Sequence, residues 1–215
     1  MTDARRIAKN SVFYATALIT QGLTEVIVAL FLARLAGAEQ LGEFTTLVTL
    51  AGLFAFVSDF GLPGLLTREI ARRRQDKDQA AKLVNASVGL VVVLSVVAIM
   101  LMIVLGLWLG YSSGLLRALI LTGLALGFES MAMVVAAAFR GIEELQWASA
   151  VIVVMQIAFT AMALPAILAK VGIDWLMATY LMSRVLSLLV AAWFFRRSRF
   201  GKLRPVADWK LWLQL

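Results

Sequence analysis

From Leu83 to Leu109 not one residue is charged. A helix crosses the hydrocarbon core of a bilayer with about 20 mostly apolar residues, and inside that core only helices and closed barrels satisfy every backbone N–H and C=O. This run, rich in Val, Leu, Ile and Met, therefore predicts a membrane-spanning helix. Five more stretches meet the same requirement: Val12–Leu35, Phe44–Leu66, Ala118–Phe139, Trp147–Ala169 and Trp175–Phe195. Gly61, Pro63 and Gly64 loosen the far end of the second, and Pro165 lies inside the fifth. The chain is 62% hydrophobic and 15% charged, where a soluble domain has about 45–50% and about 25%. The expectation is an all-α, polytopic membrane helical bundle of about six transmembrane helices, one lobe over residues 1–204. Residues 205–215, with Trp209 and Trp212, are too short to span. An interfacial tail and the start of a missing seventh span both fit them.

The connections alternate in charge. Arg5, Arg6 and Lys9 precede the first stretch, and Arg68, Arg72, Arg73, Arg74, Lys77 and Lys82 separate the second from the third. Arg140 follows the fourth, and the tail from Arg196 is basic again, whereas the opposite side holds only Arg34, Arg117 and Lys170. Lys and Arg accumulate in cytoplasmic loops, so this pattern predicts six spans in the plasma membrane with both termini cytoplasmic. The net charge of +7 then reads as an orientation signal, not as the mark of a nucleic-acid partner. The Arg68–Lys82 segment also suits anionic lipid head groups. The first stretch exceeds the about 7–15 apolar residues of a cleaved signal and holds Gln21 and Glu25, so it is read as a retained span.

Enzyme chemistry finds little footing. There are no cysteines and no histidines, which removes thiol chemistry, the commonest metal ligand and the commonest general base. No phosphate-binding loop, nucleophile elbow or metal-ligand cluster is written in the sequence. Glu143 and Glu144 read as a solvated turn. No enzyme activity and no cofactor are expected.

The informative residues are ionisable groups at bilayer depth, each costing about 2.5–3.5 kcal/mol on insertion scales. Glu25, Glu129 and Arg184 stand out, and Asp59 lies nearer a helix end. Asn10, Tyr14, Gln21 and Glu25 share one face of the first helix, interrupted at Ala17, and Tyr180, Ser183, Arg184 and Ser187 share a face of the sixth. At about 1.5 Å of rise per residue, Glu25 lies about 15 Å and Arg184 about 14 Å from the outer ends of their helices. Matching depth and opposite charge predict that the two approach each other across a polar cavity. Such groups either bridge helices or line a transport path. Gly123 and Gly127 have the spacing of a close helix contact.

The run Leu32-Ala33-Arg34-Leu35-Ala36-Gly37, continued by Gly42 and Phe44, is followed by Asp59-Phe60-Gly61-Leu62 and Arg68-Glu69-Ile70-Ala71-Arg72. Later come Phe139-Arg140-Gly141 and the Arg204-Pro205 to Trp212 tail. In order and spacing the chain resembles polysaccharide biosynthesis flippases of the multidrug/oligosaccharidyl-lipid/polysaccharide superfamily, the group of the O-antigen flippases, over essentially its whole length. Members have about 12 to 14 spans in two related halves, and this chain resembles the N-terminal half. The resemblance implies transport of a polyprenyl-linked oligosaccharide by alternating access. It implies a second half-transporter chain or a second copy as partner, and cationic cavity residues (Arg184, Arg34, Arg140) that meet the carrier's pyrophosphate. The candidate substrate-binding set is Arg184, Glu25, Gln21, Arg34, Glu129 and Asp59. A drug or small-molecule exporter half, and a non-transporting membrane protein or gene remnant, are the competing readings.

Overall fold

A computed structural model describes residues 3–73 and 76–198, together with Phe200, Leu203 and Trp212. Among them are seven α-helices: α1 Asp3–Phe31, α2 Ala38–Asp59, α3 Leu62–Arg72, α4 Lys77–Trp108, α5 Ser113–Gly141, α6 Leu145–Leu168 and α7 Ile173–Arg197. A π-helical turn, Leu32–Ala36, closes α1. All but α3 are long and apolar enough to cross a membrane. The chain is thus the polytopic helical bundle that its hydropathy predicts. The expected tail or seventh-span start at 205–215 lies outside the described residues except for Trp212, whose indole N–H donates to the Ala86 carbonyl at 2.9 Å.

One expected span is shorter than its sequence suggested. The second stretch, read as Phe44–Leu66, ends at Asp59. Phe60 and Gly61 turn left-handed (φ 47° and 77°), and the Asp59 carboxylate accepts the Gly61 N–H at 3.0 Å. Pro63 then stands in the first turn of a separate helix, where its missing N–H costs nothing. Helix α3 buries Leu62, Leu66 and Ile70 along one face. It seats that face on the end of α5 at Gly141, where a Cβ would come within 2.9 Å of the Thr67 carbonyl oxygen. Hydropathy continues smoothly through the break, so the apolar face of a short amphipathic helix passed for the end of a span.

Helix α5 is the axis of the lobe. It packs on α7, α4, α3, α2 and α6, with most residues buried from Ala118 to Gly141 and Ile120 and Leu124 left exposed. Gly123 meets Ile99 and Gly127 meets Ser95 of α4 at Cβ distances of 3.0 and 3.2 Å, so both glycines are close-contact positions, as their spacing predicts. Two apolar clusters stack along the bundle. One surrounds Ile70, Val84, Phe139 and Phe195 at the end bearing the N-terminus and α3, here called the basic end. The other surrounds Leu32, Leu47, Leu119 and Met177 at the far end. Helix α1 lies on α6, and α2 lies on α4 and α5. The two meet through the π turn and Gly37 (φ 90°) and do not pack on each other along their lengths.

Candidate functional site

Between the two apolar clusters the bundle is polar. Ser58 of α2, Ser95 of α4 and Ser130 of α5 form a buried hydroxyl cluster, with Oγ–Oγ distances of 2.7 Å from Ser58 to Ser95 and 3.0 Å from Ser58 to Ser130. Beside it a cavity of about 410 Å³ opens between α1, α2, α5, α6 and α7. Gln21, Glu25, Asp59, Glu129 and Arg184 all line it, so five of the six residues proposed from sequence face one space. These side chains come from four helices and are far apart in sequence. Their convergence is a property of the fold.

Arg184 is the best-held of them. It is 4% exposed, and its Nε donates to Glu129 Oε2 at 3.2 Å. One Nη donates to the Ser183 hydroxyl at 2.9 Å, which in turn donates to the Tyr180 carbonyl at 2.6 Å. The guanidinium carbon stands 3.6 Å from the centroid of the Tyr180 ring, close enough for a cation–π contact. Tyr180 meets Phe159 edge-on at 5.1 Å, and Phe159 stacks on Phe44 at 6.2 Å. The cavity therefore has one aromatic wall and one wall carrying an ion pair.

The expected partner of Arg184 was Glu25, and the structure replaces it with Glu129. Glu25 faces the same cavity, but its carboxylate accepts from the Gln21 amide at 3.2 Å instead. Depth along a helix fixes the height of a side chain and not its bearing. Helices α5 and α7 pack closely, whereas α1 is drawn aside onto α6, tied there by the Thr160–Thr24 hydroxyl bond of 3.1 Å. The polar face of α1 divides accordingly. Gln21 and Glu25 reach the cavity, Ala17 is fully buried, and Asn10 donates to the Glu143 carbonyl at 3.3 Å near the basic end.

The other two arginines are elsewhere. Arg34 lies in the π turn at the far end, exposed in a shallow groove with Leu30, Phe31 and Leu35. Arg140 sits half-buried in the last turn of α5, away from the cavity lining. Phe159 and Gln156 are among the lining residues that escaped the sequence reading. Phe159 is hidden among other apolar residues. Gln156 carried a usable signal, since it is the lone amide in an otherwise apolar span. The far end is closed by the Arg117–Asp174 ion pair at 2.8 Å and by Gln40 donating to the Val171 carbonyl at 2.7 Å.

Five of the six spans gather round a polar cavity, with the first two helices parted, in a multi-pass membrane bundle. Over residues 7–211 the sequence matches the family described as polysaccharide biosynthesis protein, and the chain belongs to that family. No curated protein matches it significantly. Among solved structures it resembles a MOP superfamily transporter from Pyrococcus furiosus, with a TM-score of 0.73 and 16% identity over 96% of this chain and 49% of that one. That protein is described as having a binding pocket of reverse polarity that suggests a different function. A multidrug resistance MATE family transporter of the MOP superfamily, in an outward-facing conformation, gives 0.70 and 15% over the same shares. Identity this low shows the fold alone, and the chain spans about half the length of these transporters, 49% in each case.

Proposed function

We propose that the chain is one lobe of a transporter that carries a polyprenyl-linked oligosaccharide or polysaccharide precursor across the plasma membrane. The observation that carries this reading is the mid-depth cavity, which gathers Gln21, Glu25, Asp59, Glu129 and Arg184 inside a membrane bundle of a polysaccharide-biosynthesis family. Charged groups at that depth are costly and persist where they serve a path or a bound solute. These five residues are the proposed substrate-facing set, and Arg34 lies outside it. The basic end faces the cytoplasm, by the distribution of Lys and Arg. A second lobe covers the parted α1–α2 face. The work is translocation, with no bond made or broken by the protein.

The test is deletion of the gene in its own cell. Lipid-linked precursor is expected to build up in the inner leaflet while surface polysaccharide falls. Unchanged pools of both would overturn the reading. A second reading has one observation in its favour. Three carboxylates beside an aromatic wall also suit a lipophilic cation, the cargo of a drug exporter. Greater sensitivity to cationic dyes in the deleted strain, with normal polysaccharide, would select it.

A further inference from the structure

Within the reading of the chain as a glycan-precursor transporter, we infer that this cavity takes the hydroxyl-rich glycan of the substrate and not its diphosphate. Charge is the first argument. Among the described residues Arg184 is the only cationic one on the lining, against Glu25, Asp59 and Glu129. Its guanidinium is already committed, with Nε on Glu129, one Nη on Ser183 and its face on Tyr180. A dianion entering here would meet uncompensated carboxylates in a space of low dielectric, where like charges repel strongly.

The second argument is an unanswered amide. Gln156 of α6 is 4% exposed and lines the cavity. Its backbone carbonyl accepts from Thr160 at 2.9 Å, but its side-chain amide has no partner among the described residues. An amide that lines the cavity without a protein partner is open to a ligand, and a ligand hydroxyl that both donates and accepts would answer both its ends. The Gln21–Glu25 pair on the facing helix offers the same chemistry. Phe159, edge-on to Tyr180 and stacked on Phe44, adds an apolar aromatic surface to the lining. Carboxylates, amides and an aromatic wall suit a polyol better than a phosphate. The diphosphate is left to cationic groups outside this cavity.

The experiment uses the full chain in detergent and two probes, inorganic pyrophosphate and the glycan freed by mild acid from the cell's own lipid-linked pool. Calorimetry is expected to show binding of the glycan and none of pyrophosphate. Gln156→Leu is expected to weaken glycan binding about tenfold, the loss of one or two hydrogen bonds. Gln21→Ala, on the parted helix, is a second variant in case the first fails to fold. Binding of pyrophosphate that Arg184→Gln abolishes would overturn the inference, as would a glycan that does not bind or that binds both variants as tightly as the unaltered chain. The transport reading fails separately, through an unchanged lipid-linked pool in the deleted strain.

Discussion

The two sides of this lobe are built on different terms. The back, made of α4, α5 and α7, is a wall of close contacts: Gly123 on Ile99, Gly127 on Ser95, and Arg184 bound to Glu129. The front, made of α1 and α2, is held at its far end by the π turn and by Gln40 on Val171, and below that the two helices part. Both sides carry polar residues at similar depth, but these differ in what they are tied to. Ser183 and Arg184 are buried with partners in the wall, and buried Ser95 and Ser130 bond across to Ser58 of α2. Gln21 and Glu25 are exposed on the cavity and bonded only to each other in the described structure. A charge within the back is part of the architecture, whereas a charge on the front is free to meet a solute.

If that contrast is sound, the largest effect belongs to the ion pair. Glu129→Leu is expected to cost about 3–5 kcal/mol, because it leaves the buried Arg184 unpaired, and Arg184→Leu less, because the Glu129 side chain keeps 30% of its surface exposed. The double variant is expected to regain most of that stability while remaining inactive. Reversible unfolding in detergent checks this, and single variants that each cost under about 1 kcal/mol would show that the pair does not hold the wall. Next in size are the glycines. Gly141→Ala forces a Cβ to within 2.8 Å of Ile70 and 2.9 Å of a backbone oxygen, and overpacking of this kind costs about 1–3 kcal/mol. Gly22→Ala, on the front, meets nothing within 4 Å and is expected to be neutral or to stabilise by up to about 1 kcal/mol through helix propensity. Equal melting shifts for the two would erase the distinction between the sides.

How much of this was legible in sequence depends on what each signal measures. Hydropathy counts apolar residues along a line, so six spans were readable to within a few residues at most ends. It could not separate α2 from α3, because the face of α3 that seats on α5 is as apolar as a span. Asp59, Phe60 and Gly61 held the cue in their backbone, a left-handed turn that composition does not report. Charge placed Glu25, Glu129 and Arg184 at bilayer depth and so found most of the charged lining of the cavity. It could not pair them, since bearing depends on which helices pack, and that is set by small residues such as Gly123 and Gly127. The family resemblance implied arginines meeting a diphosphate. The fold puts Arg34 at the far end and Arg140 outside the lining, leaving Arg184 as the one guanidinium on the cavity.

The smallest expected change in stability is the most informative about function. Glu25→Gln keeps the side chain's length and its ability to bond Gln21, and removes only a charge. Glu25 is exposed in the lobe and makes no ion pair among the described residues, so the variant is expected to shift stability by less than about 0.5 kcal/mol, like other substitutions away from buried networks. Precursor transport in cells is expected to fall all the same, because the residue acts on what enters the cavity. Paired measurements of the melting midpoint and of the lipid-linked pool decide this. If Glu25→Gln melts as early as Glu129→Leu, α1 is bonded into the wall, and the contrast between a fixed back and a free front fails at its central residue. If both midpoint and pool are unchanged, Glu25 has no part in transport, and the substrate-facing set contracts to Gln21, Asp59, Glu129 and Arg184.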